Sequence, residues 1–155
     1  MTEPRPFKTF EDLEVYQAAR EFHKAMYGVT RKLPDWEKFE LASQIRRAAV
    51  SVTDNLAEGH GRYHYLDRIR FSLISRGSLQ ELLDDLNVCE DERYLTADEI
   101  GKLKTEGWRV CQLLNGYLRY LRDRKTGSDL ALRETAATVW PPTGETDSLA
   151  DRPAS

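Results

Sequence analysis

Long apolar runs, cysteine and an excess of either charge are all scarce in this chain, and each scarcity removes a class of protein. No apolar run approaches the ~18 residues of a membrane span. Residues 1 to 12 carry proline, lysine and acidic side chains where a signal peptide needs an apolar stretch. Neither a membrane partner nor export is expected. The only cysteines are Cys89 and Cys111. If they sit on the third and fourth helices of an up-and-down bundle, Cys89 is near the connecting turn and Cys111 well beyond it. That offset exceeds the roughly 7 Å between Cα atoms that a disulfide spans. Two free thiols on apolar stripes suit a reducing cytoplasm.

The net charge is −3. Three basic and five acidic residues lie from Lys125 onward, which leaves 20 basic against 21 acidic before it. A segment so near neutrality lacks the broad positive field of a phosphate-backbone binder. Catalytic signatures are missing too: there is no G-x-S-x-G, phosphate-binding loop, C-x-x-C or H-E-x-x-H. His60 and His64 stand four apart with Glu58 close by, but His60 falls in an expected turn, so the pair need not share a helical face. No catalytic residue, cofactor or metal site is expected. His23 lies beside an apolar stripe and reads as a partly buried structural residue.

What the chain does contain is helical periodicity. In the stretch from Phe39 to Arg62, Leu41, Ile45, Val52 and Leu56 share one face, with Ala49 on the same stripe. Gln44, Arg47, Ser51, Asn55 and Glu58 make an adjoining polar stripe. Phe39, Val50 and Ala57 form a further apolar strip, so this helix has more than one partner. Gly59 is expected to end it through a left-handed conformation. The first helix is predicted from near Asp12 to Lys32, with Leu13, Tyr16, Ala19, Phe22, Met26 and Val29 buried. Pro34 follows as the entry to the second helix, with Asp35 and Glu37 near its N-terminus. The third helix is predicted from Tyr65 to Glu92. In it, Gly77 between Ser75 and Ser78 suggests close approach of a neighbour. Thr96 to Glu99 is a capping box that opens the fourth helix, whose stripe runs from Ile100 to Leu121. The expected architecture is all-α, an antiparallel up-and-down four-helix bundle over residues 1–124. A flexible, disordered tail is expected over 125–155, where Trp140 is a conspicuous apolar point.

Three segments carry a resemblance: QIRRAAVSVTDNLAEG (Gln44 to Gly59), FEDLEVYQAAREF (Phe10 to Phe22) and FSLISRGSLQELLDDL (Phe71 to Leu86). Together they resemble the bacterial four-helix-bundle family first noticed as open reading frames inside intervening sequences of large-subunit ribosomal RNA genes. The resemblance covers roughly residues 7 to 124. It implies a homo-oligomer, typically a pentamer, without established enzymatic activity. A more distant branch, the accessory proteins of diversity-generating retroelements, is basic and associates with nucleic acid and reverse transcriptase. RNA or a reverse transcriptase is therefore the alternative partner to a second copy of the chain. Surplus apolar surface, with Trp36, Tyr63 and Tyr65 as exposed candidates, agrees with self-association.

Two groups of site residues follow. In an antiparallel hairpin turning near Gly61, Ser78 is expected opposite Gln44, and Arg47 within reach of Glu81. Asn55 is expected to bind backbone groups around Phe10 to Leu13, with Glu58 capping or pairing at the same end. These six form a predicted structural polar network. Arg46, Arg62, Arg68 and Arg70 are the candidate nucleic-acid contacts, although nearby carboxylates offer them ion pairs instead.

Because residues beyond Lys125 add no periodic face to a core, truncation after Lys125 should leave the thermal midpoint within a few degrees. A large drop in a calorimetric scan would place part of that segment in the fold.

Overall fold

The computed structural model describes residues 9–124. The tail expected over 125–155 lies outside the described residues. Four helices make up most of the described chain: α1 (Glu14–Lys32), α2 (Leu41–His60), α3 (Tyr65–Asp91) and α4 (Ala97–Asp123). Each packs on the next and α4 closes back on α1. With connections this short, neighbours run antiparallel.

The helix starts depart from expectation at two places. A 3₁₀ turn, Phe10–Asp12, precedes α1, and Leu13 is extended between them. The Thr9 N–H donates to Asp12 Oδ2 at 3.0 Å, so the turn satisfies its own entrance. Pro34 likewise opens a 3₁₀ turn, Asp35–Glu37, and not α2 itself. The helix begins only at Leu41, whose N–H donates to Glu37 Oε2 at 3.1 Å. This late start leaves Trp36 and Phe39 outside any α-helix, 73% and 81% exposed. The capping box of α4 forms as expected: Thr96 Oγ1 accepts from the Glu99 N–H, and Glu99 Oε2 from the Thr96 N–H. Glu99 Oε1 also meets Lys32 Nζ at 2.8 Å, tying the end of α1 to the start of α4.

The core is built from the predicted stripes. Phe22 and Met26 of α1, Ile45 and Leu56 of α2, Leu79, Leu82 and Leu86 of α3, and Leu114 and Leu121 of α4 are fully buried. Burying each such side chain contributes about 1.5–3 kcal/mol relative to exposure. Cys89 and Cys111 are buried and free, and burial pushes both thiols up to about 11.

The most extensive helix packing is that of α2 with α3. Ser75 Oγ donates to the Val52 carbonyl at 2.7 Å, and the Ser51 and Ser78 hydroxyls lie 2.7 Å apart. Gly59 does not end α2. It is buried within the helix, and a Cβ there would stand 2.8 Å from Phe71 Cβ. Its hydrogen side chain therefore permits close approach of α3, and the left-handed exit expected at Gly59 is absent. Gly77 is the reverse case: a methyl group added there would meet nothing within 4 Å. Ser75 and Ser78 make the approach; the glycine between them does not.

The two glycines should respond oppositely to alanine. Gly77→Ala should raise unfolding stability by up to about 1 kcal/mol, by removing backbone freedom from an open helical site. Gly59→Ala should lower it by about 1–3 kcal/mol through overpacking against Phe71. Urea denaturation of both variants checks this, and equal effects of one sign would refute it.

Candidate interaction surface

The groove between α2 and α3 holds two of the six residues of the predicted polar network, Asn55 and Ser78, and in a different register. Ser78 pairs with Ser51, two helical turns beyond the expected Gln44, which is exposed. The cause is the packing of Gly59 on Phe71, which slides α3 along α2 relative to a hairpin counted from Gly61. Arg47 and Glu81 are both exposed, and among the described residues no ion pair joins them. Asn55 does not reach residues 10 to 13. Its Nδ2 donates to the Ser51 carbonyl at 2.8 Å and to Ser51 Oγ at 3.0 Å. The reason is angular: Asn55 lies on the α3 side of α2, whereas α1 lies on the side of Thr53. Glu58 does pair at this end, with Arg62 at 2.7 Å across one helical turn.

The sequence offers Asp85 only as one of several carboxylates with which the arginines could pair, and among the described residues that pairing is not found. Asp85 lies one heptad from Ser78 and two from Phe71 on the flank of α3 that faces α2, and that spacing was the available signal. It is 8% exposed, and among the described residues no hydrogen bond or ion pair reaches it. Burial, reinforced by Glu81 and Asp84, pushes its carboxyl up to about 6. Asp85 is thus a buried acid without a donor, at the edge of an exposed strip that includes Glu81, Asp84 and Val88.

The candidate nucleic-acid arginines divide into two places. Arg62, Arg68 and Arg70 gather at the start of α3. Arg46 lies toward the other end of α2 and donates to the Lys38 carbonyl at 3.1 Å. Arg62 stacks over Phe71 at 4.8 Å, and Arg68 over Tyr65 at 5.1 Å. Arg68 Nε also donates to the Arg62 carbonyl at 2.7 Å. Arg70 approaches Asp67 at 3.9 Å, while its Nε is buried with no partner. The end of α4 joins this cluster through Tyr117 and Tyr120, whose rings stack at 6.3 Å, and through Arg124 over Tyr120 at 4.4 Å. Their one-turn spacing was visible in the sequence; the nearness of Tyr117 to Tyr65 was not.

His23 is structural as expected. Thr53 Oγ1 donates to the Val50 carbonyl and so accepts from His23 Nδ1 at 3.2 Å, while the ring stacks on Tyr27 at 4.8 Å. Burial lowers the pKa of His23, and likewise of His60. Among the described residues, no group of three His, Cys, Asp or Glu is placed to hold a metal ion, and no helix is long and apolar enough to cross a membrane. The α1–α4 groove, lined by Glu14, Gln17, Glu21, Glu106 and Arg109, lies open to solvent. Burial and Glu21 raise the pKa of Glu106.

Comparison with known proteins adds two findings. The model of the 23S rRNA-intervening sequence protein family matches residues 11–116. A crystal structure of a protein of unknown function from the S23 ribosomal protein family of Bacteroides thetaiotaomicron superposes with a TM-score of 0.63 at 20% identity, over 68% of this chain and 95% of that one. That likeness establishes the shared fold. No curated protein matches the chain in sequence.

Asp85 generates a pH signature. Its proton is held more tightly in the fold than in the unfolded chain, where the value is 3.8. As pH rises from 3.8 to about 6 the unfolded chain ionises first, so stability falls across that window, by about 3 kcal/mol in all. His23 and His60 act in the opposite direction below 6.5, because the fold disfavours their protonation. Asp85→Asn removes the first effect and leaves the second. Measured on the unassembled chain, where no neighbouring copy supplies Asp85 with a donor, its stability advantage over wild type in urea denaturation should grow from near zero at about pH 3.5 to about 3 kcal/mol at about pH 7; a pH-independent difference would contradict the assignment.

Proposed function

We propose that this chain, which belongs to the 23S rRNA-intervening sequence protein family, is a non-catalytic scaffold that assembles with copies of itself, with five as the subunit number its resemblance implies. The observation that carries this reading is large apolar surface left over after the core is filled. Trp36, Phe39, Ile74 and Val88 are 73%, 81%, 52% and 38% exposed, and none is needed to close the bundle. Contiguous exposed apolar surface marks an interface, and Trp36 and Phe39 stand three residues apart in the connection before α2. The chemistry points the same way: the Ser51, Ser75 and Ser78 hydroxyls are spent on helix packing, both thiols are buried and protonated at neutral pH, and the α1–α4 groove is open.

Contact with RNA is a second reading, supported by one arrangement. Tyr65, Tyr117, Tyr120, Arg68 and Arg124 bring rings and guanidinium groups together at one end of the bundle. Such interleaving suits stacking on unpaired bases, at about 1–3 kcal/mol per base. The near-neutral domain argues for a local contact in place of a long electrostatic track.

Light scattering at micromolar concentration should give about 90 kDa for five copies of the 17.9 kDa chain. A monodisperse 17.9 kDa species would overturn the scaffold reading. For RNA, fluorescence anisotropy with a single-stranded oligonucleotide should show salt-sensitive binding that Arg68→Ala with Arg124→Ala weakens by about tenfold. Identical isotherms for wild type and variant would remove that reading.

A further inference from the structure

Two neighbouring faces of the bundle carry opposite charge. On α3, Glu81 and Asp84 are exposed, Asp85 lies beside them, and among the described residues none of the three has an ion-pair partner. Val88 and Ile74 supply apolar contact along the same helix. Arg47 borders this face from α2, and Arg70 at its far end is engaged by Asp67.

The other face lies between α1 and α2. The bond from His23 to Thr53 fixes which flank of α2 looks toward α1. Arg46, Val50 and Ala57 share that flank at helical spacing, as Arg20, Tyr27 and Arg31 share a flank with His23 on α1. Arg20 and Arg31 are exposed and have no ion-pair partner among the described residues. Arg46 holds one backbone carbonyl through a single nitrogen and has further donors. Asp54 is a carboxylate close to this face, felt by His23 together with Arg20.

We infer that the acidic α3 face of one copy docks on the α1–α2 face of the next, with Glu81, Asp84 and Asp85 meeting Arg20, Arg31 and Arg46. This deepens the self-assembly proposed above and rests on it. Asp85 is the strongest support, because it is nine-tenths buried without a donor in its own chain, and a guanidinium from a neighbour supplies one. The contact joins unlike faces, so it is heterologous and propagates until it closes. Adjacent sides of a four-helix bundle stand at roughly a right angle, and rings of four or five copies require about 90° or about 108° between a subunit's two contact faces. The geometry therefore leads to a small closed ring with α2 as the shared edge of both contacts.

Charge reversal at exposed positions tests the pairing without touching the core. Glu81→Lys with Asp84→Lys, and separately Arg20→Glu with Arg31→Glu, should each reduce the assembly to the 17.9 kDa chain in light scattering, with helical circular dichroism unchanged. All four substitutions in one chain restore complementarity and should restore the wild-type mass. Assembly of either pair variant at full wild-type mass overturns the inference and leaves self-assembly standing, as does a dissociated pair variant that the fourfold variant does not rescue. A wild-type chain that is itself monomeric overturns both.

Discussion

The close approach of α2 and α3 is the constraint on which the other features depend. Small residues line it: Gly59 under Phe71, Ser51 against Ser78, and Ser75 against the Val52 backbone. With helices this near, Ser75 donates to the Val52 carbonyl and the Ser51 and Ser78 hydroxyls bond to each other, so each of the three has a partner where water is excluded. The same contacts fix the sliding register of α3. Register in turn decides which side chains are left on the outside of the groove, and hence what surface the molecule presents.

Electrostatics then separates two kinds of charge. Most ion pairs are local or bind helix ends, such as Arg62 with Glu58 and Lys32 with Glu99, and at such exposure they contribute little to stability. Asp85 is different in kind, because burial without a donor raises its pKa and makes the isolated chain less stable at neutral pH. A fold that tolerates such a group has a use for it outside its own core. The unpaired carboxylates of α3 and the unpaired arginines near α1 give that use a geometry. Neither set is visible in a net charge of −3.

Cysteine and histidine illustrate how the same residue types become inert. Cys89 and Cys111 lie in the apolar interior, where the thiolate is disfavoured, so neither has the character of a nucleophile. His23 spends Nδ1 on Thr53 and its ring face on Tyr27. These are packing roles.

The sequence by itself determined the four helices, their buried stripes and the capping box at Thr96, because periodicity and capping depend on residues three or four apart. It also carried the family, through three segments in the right order. It misjudged the start of α2, the exit at Gly59 and the meaning of Gly77, since a glycine's role depends on what stands opposite its missing methyl. The turn after α3 was equally hidden: Arg93 takes the left-handed conformation, φ 57°, with no glycine to announce it. Asn55 was assigned to the wrong neighbour because helical spacing gives an angle around α2 but not which helix occupies that angle. Only the tertiary structure decided that Ser78 meets Ser51, that Asp85 is enclosed without a donor, and that Tyr117 of α4 lies near Tyr65 of α3. All three depend on the offset and rotation of one helix against another, which close packing sets and no local pattern encodes.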